Sequence, residues 1–160
     1  MKKYLWSTAA IILMAIASCQ VNTELTDEQK ATIEKEVKAQ FDGFLSAVNQ
    51  LDANAATDYQ SKDKFISYTL NTYFLSTRNM MVDTIKNWFS GRERQHIELK
   101  EIQVTALTSE LAQMTSRTII DLSFKTGESL KVNDFLSMLW QKEQSGWRVI
   151  HTHESWEFVE

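Results

Sequence analysis

The chain has 160 residues, no proline, one cysteine and four glycines. Without proline nothing forces a helix or strand to break. With glycine confined to Gly43, Gly91, Gly127 and Gly146, long regular elements are expected. A lone cysteine excludes an internal disulfide. No stripe of lysine and arginine occurs, and the formal charge is -4. That balance argues against a nucleic-acid partner. After the N-terminal run, no apolar segment approaches membrane-spanning length. There is no P-loop, no dinucleotide fingerprint and no Ser-centred nucleophile elbow. No cofactor and no metal ion are therefore expected.

What is present begins at the N-terminus, M-K-K-Y-L-W-S-T-A-A-I-I-L-M-A-I-A-S-C. Lys2 and Lys3 form a positive n-region, and Ala9 to Ala17 an apolar h-region too short to span a bilayer comfortably. Ile16-Ala17-Ser18-Cys19 resembles the lipobox of bacterial lipoproteins. The resemblance implies a signal peptide over 1–18, cleavage before Cys19, and acylation of that residue with palmitate-type chains. Several such chains hold a protein on a membrane far more firmly than one. Gln20 rather than Asp follows the cysteine, which points to the outer membrane, facing the periplasm. Residues 19–25 read as the acylated Cys19 and a tether, and 26–160 as one domain. Removing 1–18 leaves 142 residues and takes away Lys2 and Lys3 but no acid, so the charge moves from -4 to -6. That length suffices for one sizeable core.

Thr26-Asp27-Glu28-Gln29 reads as a helix N-cap with a capping-box partner. A long amphipathic helix follows, with Ile33, Val37, Phe41, Phe44, Leu45, Val48 and Leu51 on one face. Asp52 to Tyr59 read as a second, short helix. Lys64 to Tyr68 and Thr72 to Leu75 read as short strands around a turn near Asn71. Thr77 to Phe89 return to helical spacing, and Ser90-Gly91 is the expected stop. The remainder is strand-like. Ile97 and Leu99 alternate, then Ile102, Val104 and Ala106 continue in the opposite phase, which predicts a bulge. Ala112, Met114, Ile120, Leu122 and Phe124 share one parity. Lys125 to Glu128 make a turn. Leu130 to Lys142 form a strand apolar on both faces around Phe135 to Trp140, hence central or at an interface. Gln144-Ser145-Gly146 turns into Trp147 to Phe158. Helices first and long strands last predict an α+β fold, cone-shaped, with N-terminal helices packed on a bent antiparallel sheet.

The last two strands carry a recognisable pattern. Phe135-Leu136-Ser137-Met138-Leu139-Trp140-Gln141-Lys142, then Gly146-Trp147-Arg148-Val149-Ile150-His151-Thr152-His153-Glu154-Ser155-Trp156, resembles the SnoaL-like branch of the nuclear transport factor 2-like superfamily. It is also similar to the association domain of calcium/calmodulin-dependent protein kinase II. The resemblance extends over about residues 26–157, and the spacer between Trp140 and Gly146 is five residues, one longer than is common there. It implies a cone with a pocket. Because the superfamily holds isomerases, dehydratases, hydrolases and oligomerisation modules, it does not imply one activity.

His151 and His153 lie two apart on a strand and so share a face. They are candidates for lining the cone, as ligand contacts or a general base; the competing reading is a structural, hydrogen-bonded pair. Zinc would need a third ligand, and of His96 and Glu154 the latter points to the opposite face. Glu154 and Arg148 are expected together on that other face, as a cross-strand salt bridge or dimer contact. Asp134 sits in an apolar strand. It is solvated at the strand end or, if buried, holds a raised pKa suited to a base. Ketosteroid isomerase, another member of the superfamily, works with a buried aspartate base and a tyrosine; Asp134 and Tyr68 can be cast in those roles, although no motif here matches that enzyme residue by residue. Tyr68, Trp88, Asp134, Met138, His151 and His153 are thus the pocket candidates. Trp156 is placed at the sheet edge. The expected function is binding of a small apolar or amphipathic ligand by a membrane-anchored, homodimeric protein. The alternatives are an isomerase- or hydrolase-type enzyme using His151 or His153 with a carboxylate, and an oligomerisation or docking module.

Overall fold

The computed structural model describes residues 24–159. The expected signal peptide, Cys19 and most of the tether lie outside them. Among the described residues no helix is long and apolar enough to cross a membrane.

Helix α1 spans Asp27–Asn49. Thr26 caps it: its Oγ1 accepts from the Gln29 amide at 3.2 Å, and Gln29 Oε1 accepts from the Thr26 amide at 2.8 Å. This reciprocal box satisfies two donors that the first turn leaves open. Ile33, Val37, Phe41 and Val48 are buried along one stripe. Helix α2, Ala53–Asp58, is capped by Asp52. It leads into Tyr59, whose hydroxyl lies so close to Gly43 of α1 that a Cβ there would clash with it. Helix α3, Arg78–Gly91, starts at its cap Thr77.

The strands are β1 Ser67–Leu70, β2 Tyr73–Leu75, β3 Arg92–Ala106, β4 Leu111–Phe124, β5 Ser129–Glu143 and β6 Gly146–Phe158. They form one six-stranded sheet in the order β2-β1-β6-β5-β4-β3. The sheet is mixed rather than purely antiparallel, because β1 pairs parallel with β6. The chain travels from β1 to β6 through β2, α3 and the three strands β3–β5, so no tight hairpin dictates an antiparallel match there. The long strands are joined by turns in which Gly127 and Gly146 take φ of 91° and 103°, values that glycine adopts without strain. Strand β5 is central, between β6 and β4.

Three register shifts shape the sheet. One lies between Leu99 and Glu101 on β3, where the apolar phase slips. A second separates Arg92 from Arg94. The third was not expected: Leu139 faces His151 while Trp140 faces Val149. Ile150 is therefore an extra residue in β6, and the strand's two faces exchange phase across it. Segment 59–66 engages this stretch. Val149 O accepts from the Ser61 amide at 2.8 Å, and Ile150 O from the Ile66 amide at 2.6 Å.

The core lies between the stripe of α1 and the inner rows of β3–β6. Ile33, Val37 and Phe41 pack with Met114, Trp140 and Trp147. Glu36 fastens the helix to the β5–β6 hairpin, accepting from Trp147 Nε1 at 2.8 Å and Lys142 Nζ at 2.9 Å. Helix α3 and the β1–β2 hairpin close the other end through Tyr68, Leu70, Leu75 and Met81.

Candidate functional site

Between the helices and the inner face of the sheet lies a cavity of about 70 Å³. A water needs about 10–15 Å³ on this measure, so the space admits a handful of waters or a small apolar group. Its walls are largely apolar: Phe44 and Val48 from α1, Ile85 and Trp88 from α3, Ile97 from β3, and Leu136 from β5.

Polar side chains converge on it from five strands. Asp134 belongs to the inward row of β5, with Val132, Leu136, Met138 and Trp140, all buried. It is 3% exposed, so strand-end solvation does not describe it. Thr118, its register partner on β4, donates to Oδ2 at 2.8 Å, while Oδ1 is buried without a partner. Burial pushes its pKa up to about 8, the neighbouring Glu154 pushes the same way, and the Thr118 hydroxyl pulls modestly back. Glu154 comes from β6. Its Oε2 accepts from the Tyr68 hydroxyl and its Oε1 from Trp156 Nε1 at 2.6 Å. Burial raises its pKa, while these two donors and Arg92 oppose the rise. Tyr68, on β1, has its own pKa driven well above 10, first by burial and then by Glu154. Both Glu154 oxygens accept from donors, which favours its charged form against burial, whereas Asp134 has one such donor and keeps its proton to higher pH.

Arg92 opens β3 directly after α3, and the register shift beside it turns the side chain inward. Its Nη1 donates to Gln95 Oε1. Its Nε lacks a partner, as does Gln60 Oε1, and both residues line the cavity.

The structure thus gathers Tyr68, Trp88, Asp134 and Met138 around one cavity. His151 and His153 are not among its walls. An unbroken alternation would put them in the row of Trp147 and Val149; the extra Ile150 reverses that phase and sends both to the outer face. There His151 Nδ1 meets Ser67 Oγ at 2.9 Å, and His153 is exposed. The same reversal brings Glu154 inside and separates it from Arg148, whose Nη1 instead donates to Trp147 O at 2.9 Å. Trp156, expected at the sheet edge, also lines the cavity. Reasoning from sequence missed Glu154, Arg92 and Thr118 as cavity residues. The consecutive apolar pair Val149-Ile150 was the available sign of a slip in β6. Among the described residues no group of three or more His, Cys, Asp or Glu is placed to hold a metal ion.

Chemically, the arrangement offers one carboxyl that burial keeps protonated to near neutral pH, one carboxyl held by two donors and one buried guanidinium in a largely apolar space. It can orient a polar group on an apolar molecule, and Asp134 can exchange a proton near neutral pH.

The profile of the SnoaL-like domain matches residues 37–159. No curated protein matches the chain. Among solved structures, a candidate dehydratase of the nuclear transport factor 2-like family from Streptomyces avermitilis superposes with a TM-score of 0.72 at 14% identity, covering 81% of this chain and 99% of that one. A ketosteroid isomerase-like protein from Erwinia carotovora atroseptica gives 0.68 at 18% identity, over 84% and 100%. A candidate calcium/calmodulin-dependent protein kinase II association domain from Xanthomonas campestris gives 0.66 at 18%, over 77% and 86%. At these identities the likeness establishes the fold, the α+β cone with helices on a curved mixed sheet.

Proposed function

The chain belongs to the SnoaL-like domain family, and from that premise we propose that its cone binds a small, partly apolar molecule without turning it over. One observation carries this reading. The cavity is walled by apolar side chains, yet three of its buried polar atoms, Asp134 Oδ1, Arg92 Nε and Gln60 Oε1, have no partner in the protein. Buried polar atoms are rarely left unpaired, and a ligand or ordered water is the usual complement. Native mass spectrometry of the protein from Gln20 onward tests the reading. A retained small-molecule mass supports it. A protein that emerges bare and also fails to take up any member of a small apolar library refutes it.

A second reading rests on Asp134. A carboxyl whose pKa lies near 8 and which faces a cavity suits general acid–base catalysis, as in an isomerase or dehydratase. An enzyme built on His151 or His153 has no support, since both lie on the far side of the sheet from the cavity. Turnover that is lost in Asp134→Asn but kept in His153→Ala would favour the catalytic reading over pure binding.

The lipid on Cys19 is proposed to hold this domain at the outer membrane, facing the periplasm. Two copies are proposed to meet through the outer face of the sheet, where Phe135 is 45% exposed and a second copy would cover it.

A further inference from the structure

Arg92 is 8% exposed, and no ion pair among the described residues includes it. Its guanidinium lies 5.4 Å from the centroid of the Phe89 ring, and its one acceptor is the neutral amide oxygen of Gln95. A buried cation with such modest company is costly, and truly isolated charges are avoided in protein interiors. Burial accordingly lowers its pKa, with Tyr68 and Glu154 opposing that from a distance. Glu154 does not supply the missing partner. Both of its oxygens are taken, by Tyr68 and Trp156. The Nε–H of Arg92 is left over, in a residue that lines an apolar cavity.

We propose that the cone's ligand is a monocarboxylic acid with an apolar body, its carboxylate received by Arg92. The inference rests on the reading of the cone as a binding site. A guanidinium presents N–H groups in a planar fork that fits a carboxylate. Phosphate is disfavoured, because a dianion would meet a single cation, whereas the one charge of a carboxylate matches it. Asp134 and Glu154 oppose an anion less than exposed carboxylates would, because burial raises the pKa of both. The apolar walls from Phe44 to Trp88 would take the hydrocarbon.

The test is a titration of the full chain with propionate, butyrate, isobutyrate and pentanoate, sized to the cavity, each against its own amide, read by calorimetry. At least one acid should bind about tenfold or more tightly than its amide, the factor that charge-assisted hydrogen bonds supply. Arg92→Gln should erase that preference, bringing each acid to the affinity of its amide or below it. Arg92→Lys, which keeps the charge without the fork, should fall between and checks that loss of preference is not loss of fold. Amides binding as well as acids would overturn the carboxylate class while leaving the cone a binding site. Failure of every acid and every amide would overturn both. A preference that survives Arg92→Gln would remove Arg92 from its origin.

Discussion

Asp134→Asn should make the protein more stable, and the gain should grow with pH. The folded state holds a proton on this carboxyl up to about pH 8 from an ordinary value of 3.8, whereas the unfolded chain releases it near pH 4. Between those values the folded state binds more protons than the unfolded one, so stability falls as pH rises and levels off above about pH 8. At about 1.4 kcal/mol per pH unit, the ceiling is about 6 kcal/mol above pH 8 and about 4 kcal/mol at pH 7. Local relaxation and water entry reduce such penalties, so a gain of about 2–4 kcal/mol at pH 7 is the working figure. Asparagine keeps the shape and offers Thr118 an oxygen acceptor, but it cannot ionise. The assay is urea unfolding of wild type and variant at pH 4, 5, 7 and 9, followed by tryptophan fluorescence with matched m-values. The two curves should coincide near pH 4 and separate by pH 9. A difference that stays constant from pH 5 to pH 9, or a wild type that gains stability over that range, would refute the argument that Asp134 is buried with its proton. Glu154 is displaced in the same direction and persists in the variant, so some pH dependence should remain.

Other expectations are read off the same geometry. His151→Ala and His153→Ala should leave the affinity of any cone ligand within about twofold, measured by calorimetry, because neither ring reaches the cavity; a large loss in either would place the pocket elsewhere. Cys19→Ser should move the protein from the membrane to the soluble fraction, and a variant that stays in membranes would exclude the lipid anchor. Phe135→Glu should shift the species seen by analytical ultracentrifugation from dimer to monomer, since a charge in the centre of a shared face is strongly unfavourable; an unchanged dimer would exclude that face. Gly43→Ala should destabilise by about 1–2 kcal/mol despite alanine's better helix propensity, because the new methyl meets the Tyr59 hydroxyl. Combined with Tyr59→Leu, the same change should turn neutral or stabilising by up to about 1 kcal/mol in thermal melts.

Much of the fold was legible because its signals are local. Thr26 with Gln29, Asp52 and Thr77 mark helix starts through hydrogen bonds made within three residues. The bulge near Leu99 is visible as a change of apolar phase, and Gly127 and Gly146 sit where left-handed turns require them. The parallel seam between β1 and β6 was not legible, because residues more than eighty positions apart set it. Nor was the inner face of β6. Periodicity reports which residues alternate, but not which row is inside once an unpaired residue intervenes. Ile150 is buried like its neighbour Val149, so the slip carries no polar mark. Arg92 was hidden differently. At a helix–strand junction a charged residue reads as solvent-facing, and only the paired strand β4 reveals the shift that turns it inward.

The extra residue in β6 makes the character of the cone's interior a matter of register. Downstream of it the strand carries two interleaved sets of side chains, imidazoles on one side and Thr152, Glu154 and Trp156 on the other. Closing the bulge by pairing Ile150 would slide the downstream half of the strand by one position, presenting His153 to the cone and Glu154 to the outside. Deleting Ile150 would instead leave both where they are, because the residues beyond the bulge keep their partners on β5. One set of side chains can thus furnish an acidic or a basic interior, and the unpaired Ile150 holds it in the acidic one.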